Sequence, residues 1–218
     1  NTSFRNATAC RSLMQDITRS GVPAMMMTVH DPQSGYWYDA IGTADLASGI
    51  AVKSCNITRV GSTVKTFTAV SVLLLQEDGL IDLDQPVTDF LDASVLHGIK
   101  NADKATVRQL LQHASGIFNY IQDPKFQTAS LNDLVKSWHP NELQDYARGK
   151  EPYFSPGADV RYSNTNYILL GMIIEKITGK PFYRFFEERI FLPQGLQFTH
   201  FAATDPVPDG KKIRSKNR

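Results

Sequence analysis

Apolar residues along this chain repeat mostly at helical spacing, and the densest such run lies over residues 56–79 (NITRVGSTVKTFTAVSVLLLQEDG). Val64, Phe67, Ala69, Val70, Val72, Leu73, Leu74 and Leu75 would cover nearly every side of a helix, which predicts one buried all round. Gly79 follows Gln76-Glu77-Asp78 where the glycine after a helix C-terminus belongs. Upstream, residues 4–20 set Phe4, Ala7, Cys10, Leu13, Met14 and Ile17 on one side of a helix that Gly21 closes. Residues 24–30 are an apolar run, Asp31-Pro32-Gln33-Ser34-Gly35 is turn chemistry, and 36–42 runs back, so a strand hairpin is predicted. Residues 43–55 read as irregular, with Gly49 at a turn.

Farther along, residues 81–87 form a loop that enters a short helix over 87–91. Thr106-Val107-Arg108-Gln109 has the residues of a capping box, opening a helix through Gln112 that Gly116 stops. Ser130-Leu131-Asn132-Asp133 reads as a second opening of this kind, and Pro140-Asn141 begins a helix to about Arg148. After a Pro- and Gly-rich loop at 151–159, Asn164 or Thr165 starts a long apolar helix that Thr178-Gly179 ends. Pro181 takes the first position of the next, FYRFFEERIF. A strand pair near the N-terminus with helices elsewhere predicts an α+β class. No internal repeat appears.

Composition narrows the choices. The 218 residues, 42% hydrophobic, suffice for one large domain or two small ones. A net charge of +1 leaves no electrostatic footprint for nucleic acid or a membrane surface. The basic run over 211–218 reads as a solvated end. No apolar stretch reaches the length of a membrane span, since 64–75 is short and broken by Lys65, Thr66, Thr68 and Ser71. Cys10 and Cys55 lack the spacing of a zinc ribbon or a redox motif. One disulfide between them and two separate buried thiols both fit. The chain opens at Asn1 with no Met and no hydrophobic signal, as a mature periplasmic or secreted protein or a trimmed chain would. Asn-x-Ser/Thr sequons begin at Asn1, Asn6 and Asn56 and matter only in a host that glycosylates.

Candidate chemistry centres on Ser62 and Lys65. On a helix starting near Ser62, positions three apart share a face, so the Lys65 amine would stand over the Ser62 hydroxyl. A lone lysine in an apolar environment must pair or lose its proton, which makes it a candidate base. Ser-x-x-Lys also arises by chance about once in a chain of this length, as a capping serine and a snorkelling lysine. The pair therefore gains its weight from other residues. Tyr162-Ser163-Asn164 lies between the Pro/Gly loop and the onset of a buried helix, where a phenol and a carboxamide can project into one cleft. A packed tyrosine and a helix-capping asparagine would look the same in isolation.

Together these segments resemble the serine β-lactamase and penicillin-binding protein superfamily, in the branch of class C β-lactamases, DD-carboxypeptidases and related esterases. The matching stretches run in one order: 59–68 (RVGSTVKTFT), 77–87 (EDGLIDLDQPV), 110–116 (LLQHASG), Ser155-Pro156-Gly157 and 162–167 (YSNTNY). Gly171, Ile177-Thr178-Gly179 and 190–196 (IFLPQGL) follow. The likeness extends from about Gly21 to Thr199, and relatives carry a Ser-x-x-Lys motif, a polar triad and a Lys-Thr-Gly strand.

The resemblance implies a β-lactamase/transpeptidase-like α+β fold, with a helical region packed on an antiparallel sheet. It implies Ser62 as nucleophile, Lys65 as acceptor of its proton, Tyr162 as a partner in acid/base work and Asn164 as orienter of the substrate amide. Whether Lys65 or Tyr162 is the general base stays open. The Ser62 N–H would supply half of an oxyanion hole. His113 would support the loop beneath the site, although Ala114 stands where relatives carry Thr. Asp82 and Asp84 read as loop caps rather than a carboxylate pair. No cofactor and no metal are implied.

The third motif, a Lys- or His-Thr/Ser-Gly strand, is absent from the sequence. The expectation is then a single domain over 1–218, incomplete at its C-terminus. A helix and hairpin occupy 4–60, a mostly helical part 61–199 and a tail 200–218, and a companion segment or chain completes the sheet. The expected activity is serine acyl transfer through a Ser62 acyl-enzyme on a D-Ala-D-Ala peptide stem, a β-lactam or a small ester. The alternatives are an esterase of the same fold, a non-catalytic sensor or binding domain, and a purely structural helical domain.

Overall fold

The computed structural model describes residues 4–201 and divides the chain near Arg59 into two compact units. In the N-terminal unit, α1 (Ala7–Arg19) precedes an antiparallel sheet of β1 (Ala24–Asp31), β2 (Gly35–Asp45) and β3 (Ile50–Ala51), in that order. The hairpin register sets Met25 opposite Ile41, Met27 opposite Asp39 and Val29 opposite Trp37. Alternation therefore gathers these side chains on one face, and α1 covers it with Ala7, Cys10 and Met14. At the rim Arg11 Nε donates to Asp39 Oδ2 at 2.7 Å. The Asp31 carboxylate closes the hairpin by accepting from Gln33 N–H, Ser34 N–H and Ser34 Oγ.

Two expectations change here. The stretch 43–55 is not irregular throughout: β2 continues to Asp45 and pairs with β3 across a register shift. Both residues of β3 are exposed, so no alternating burial betrayed it. Cys10 and Cys55 are both free, the first half-buried and the second exposed, so neither a disulfide nor a pair of buried thiols forms. Cys10 faces the sheet from α1, whereas Cys55 sits in the turn after β3.

The second unit is helical. α2 (Val64–Glu77) follows a single 3-10 turn at Gly61–Thr63, and α3 (Ala93–Leu96) is one turn long. α4 (Val107–Leu111) opens with the capping box of Thr106 and Gln109, as the sequence requires. α5 (Pro124–Asn132), α6 (Pro140–Asp145), α7 (Asn164–Thr178) and α8 (Phe182–Phe186) complete it, and a π-helical turn at Glu187–Phe191 extends α8. One core joins α2 (Val72, Leu75), α4 (Leu110), α7 (Leu169, Ile173) and α8 (Phe186). The left-handed Gly179 ends α7 at its expected place.

α2 is not buried all round. Thr68, Ser71, Val72 and Leu75 face inward, while Leu73 is 50% exposed and Val70 also faces outward. Apolar composition marks a helix as buried but does not say which faces have neighbours, and α2 packs against α7 and α8 along one side. Ser130 opens no helix; it lies near the end of α5, which Asp123 caps by accepting from Lys125 and Phe126 N–H. An Asp-Pro start outcompetes Ser130 because the carboxylate caps and Pro124 presets the first turn. Of the two loop aspartates, Asp82 accepts from Asp84 N–H as a cap, whereas Asp84 holds Arg108 through two hydrogen bonds. The tail beyond residue 201, including the basic run, lies outside the described residues.

α4 stops at Leu111, earlier than expected, and His113 turns left-handed (φ 58°) ahead of Gly116 (φ 68°). A Cβ on Gly116 would also run into the Phe154 carbonyl. Gly116→Ala is expected to destabilise the fold by about 2 kcal/mol or more, read from the midpoint of chemical denaturation. A shift below about 0.5 kcal/mol would show that the loop relaxes freely.

Candidate active site

The 3-10 turn at Gly61–Thr63 runs straight into α2, so Ser62 and Lys65 lie one turn apart on the same side. Lys65 Nζ donates to Ser62 Oγ at 3.2 Å and to Asn164 Oδ1 at 2.7 Å. Ser62 Oγ shares a 2.8 Å hydrogen bond with Tyr162 OH, which also reaches Asn164 Oδ1 at 3.4 Å. All four residues singled out in the sequence thus meet at one point, although about 100 positions separate the two pairs. Ser62 is exposed and Tyr162 is 45% exposed, so the hydroxyl is open to a ligand.

Tyr162 is held from below by His113. Arg161 N–H donates to the His113 carbonyl at 2.9 Å, and Ser163 N–H donates to His113 Nδ1 at 3.2 Å. The imidazole also packs against the Tyr162 and Tyr167 rings, with centroids 4.5 and 5.1 Å away. His113 thus supports the turn that carries Tyr162, as the family resemblance implies.

Asn119 is a participant that the sequence does not reveal. Only 5% exposed, it presents Oδ1 to Asn164 N–H at 3.0 Å and to Asn164 Nδ2 at 3.1 Å. Its neighbours bind the same turn: Thr165 Oγ1 donates to the Phe118 carbonyl at 2.7 Å and accepts from Tyr120 N–H at 3.2 Å. The nearest sequence signal is a polar residue flanked by two aromatics in the stretch between Gly116 and the Asp123 cap.

No carboxylate pairs with Lys65 among the described residues, and its partners are neutral oxygens and rings. Its ammonium lies 5.0 Å from the Tyr162 ring centroid and 5.6 Å from that of Tyr167. A hydrogen bond to a charged group contributes about 1.5–3 kcal/mol and an exposed cation–π contact about 0.5–1, so the Asn164 carbonyl is the stronger anchor. Burial opposes ionisation of the Tyr162 phenol, but the neighbouring Lys65 amine and its charge, with the hydrogen bond to Ser62, outweigh it and hold the pKa below its ordinary value. Burial and then the Lys65 charge push the His113 pKa below its ordinary value. That keeps the imidazole neutral and its Nδ1 able to accept from Ser163.

As a phenolate beside an ammonium, the Tyr162 side chain can take a proton from the serine hydroxyl, and as a phenol it can return it. The lysine contribution has a measurable sign. In Lys65→Met the attraction is lost while the burial stays, so the Tyr162 phenol should titrate at higher pH than in the parent protein. Ultraviolet difference titration, with Tyr162→Phe identifying the signal, reads this directly. A Tyr162 titration unmoved by Lys65→Met would refute the coupling.

The family model described as Beta-lactamase matches residues 10–216. A D-stereospecific amidohydrolase from Streptomyces sp. superposes with a TM-score of 0.83 at 36% identity, over 94% of this chain and 60% of that one. The D-amino acid amidase of Ochrobactrum anthropi SV3, solved with L-phenylalanine, gives a TM-score of 0.78 at 30% identity over 92% of this chain and 53% of its own. Penicillin-binding protein 4* of Bacillus subtilis (strain 168) is 29% identical over 167 residues, which is 75% of this chain and 34% of the relative. The chain thus spans from about a third to three-fifths of the length of these relatives. The family model matches all but the ends of this 218-residue chain, and the chain belongs to the beta-lactamase family.

Proposed function

We propose that the protein is a serine acyl-transfer hydrolase working through an acyl-enzyme on Ser62. The observation that carries this reading is the Ser62 hydroxyl within hydrogen-bond reach of both the Tyr162 phenol and the Lys65 amine. In the first step Ser62 Oγ bonds to the acyl carbon and its proton passes to the Lys65–Tyr162 pair, which enters the step one proton short, as a Tyr162 phenolate beside the Lys65 ammonium or a phenol beside the neutral amine. The bond to the leaving amine or alcohol then breaks, and the same pair returns the proton to it. Water releases the acyl group by the reverse sequence. The Ser62 N–H, in the first turn before α2, would face the developing oxyanion.

The substrate class proposed is a small amide, peptide or ester, with a D-configured acyl unit, a D-Ala-D-Ala stem or a β-lactam as candidates. The names of the Streptomyces amidohydrolase, the Ochrobactrum amidase and the Bacillus penicillin-binding protein support this range. β1 lies at an edge of the sheet among the described residues, which supports a further segment or chain pairing along it. A second reading is a domain that binds such ligands without turnover.

Incubation of the full-length protein with a fluorophosphonate or a fluorescent penicillin, followed by mass spectrometry, separates the readings. The expected result is one adduct on Ser62, abolished in Ser62→Ala and slowed about 100-fold or more in Lys65→Ala and Tyr162→Phe. An unlabelled Ser62 in the folded full-length protein would remove the enzyme reading.

A further inference from the structure

We infer that Asn119 is a positioning residue that sets which way round the Asn164 carboxamide sits, and so keeps an acceptor rather than a donor on Lys65. The inference rests on the reading of Ser62 and Lys65 given above. Asn119 forms no hydrogen bond with either and acts through Asn164. Its Oδ1 meets two donors of one residue, the backbone N–H of Asn164 at 3.0 Å and the side-chain Nδ2 at 3.1 Å. A backbone N–H can only donate, so Asn119 must present its oxygen there. With that oxygen in place, Asn164 must turn its NH2 towards Asn119 and its Oδ1 towards Lys65, where the contact is 2.7 Å. The opposite rotamer would set oxygen against oxygen at Asn119 and an NH2 group against the ammonium. Both contacts would be repulsive.

Hydrogen-bond polarity therefore runs without ambiguity from a backbone amide, through two carboxamides, to the lysine. Asn119 is well placed to start it. Its own N–H donates to Tyr153 OH at 3.1 Å, and the carbonyl before it accepts from Thr165 Oγ1. The Asn164 carboxamide meets Asn119 through its NH2 and the Lys65 amine through its oxygen. Removing the acceptor would free Asn164 to rotate and Lys65 to leave Ser62.

Two variants of the full-length protein test this by acylation rate, by the split between kcat and KM, and by thermal stability. Asn119→Leu removes the acceptor at similar volume, whereas Asn119→Asp keeps it. N119L should acylate Ser62 about 100-fold more slowly with KM within about threefold, while N119D should stay within about tenfold of the parent. N119L acylating within about threefold of the parent, or N119D falling as far as N119L, would overturn the inference. Should N119L fail to fold, N119D decides alone, with a loss of about 100-fold counting against the inference. Should the parent protein not acylate at all, the functional reading fails separately. A crystal structure of N119L, or of N119D if N119L does not fold, then still tests the polarity. Asn164 Oδ1 leaving Lys65 in N119L, or staying on it in N119D, supports the inference; the reverse in either contradicts it.

Discussion

A buried clasp between the first turn of α7 and the loop that follows α4 is the constraint on which the site depends. Ser163 and Thr165 hydroxyls bond the Phe118 carbonyl, Asn166 accepts from Ser115 Oγ and donates to the Leu110 carbonyl, and His113 takes the N–H groups of Arg161 and Ser163 from opposite ends. Ser115, Ser163, Thr165 and Asn166 are all fully buried, so each unpaired group would cost about 1–3 kcal/mol. The loop cannot slide along α7 without breaking several of these bonds together. Tyr162 and Asn164 stand between the clasped residues and inherit that rigidity. Asn101 extends the clasp outward by donating to the carbonyls of Ser115 and Phe154, which ties in the Pro- and Gly-rich loop.

The electrostatic character of the site follows from what surrounds one half-buried ammonium. Phenols, carboxamides and a neutral imidazole face Lys65, and no carboxylate among the described residues does. A carboxylate would lock the amine into a static ion pair and hold its proton. Neutral oxygens keep the amine oriented towards Ser62 and Asn164. The same charge that favours the Tyr162 phenolate disfavours an imidazolium at His113, so one lysine sets both neighbours in opposite senses. The Tyr167 phenol lies in the same cluster, yet burial and then Tyr162 push its pKa upward. Only the phenol hydrogen-bonded to Ser62 is placed for proton transfer.

Legibility in the sequence followed the range of the interaction. Ser62 and Lys65 could be paired from spacing alone because one helical turn fixes their relation. Tyr162 and Asn164 could be grouped with each other, but only resemblance to a family carried them across to Ser62. Asn119 stayed hidden because its function is to accept two hydrogen bonds from a segment 45 residues away, and nothing local marks it for that. β3 is two exposed residues with no pattern to read. The sidedness of α2 was invisible because apolar residues on all faces do not record which neighbours arrive. Where local chemistry dominates, as in the Thr106 capping box or the Asp31 turn, structure and sequence agree.

The central claim is that one hydroxyl, one amine, one phenol and one carboxamide form a single preassembled unit. A crystal structure of the full-length protein after reaction with a fluorophosphonate tests it most directly. The account predicts phosphorus bonded to Ser62 Oγ, with Lys65 Nζ still on Asn164 Oδ1 and Tyr162 OH beside the modified oxygen. Lys65 found in an ion pair away from Ser62, or phosphorus on a different serine, would contradict it.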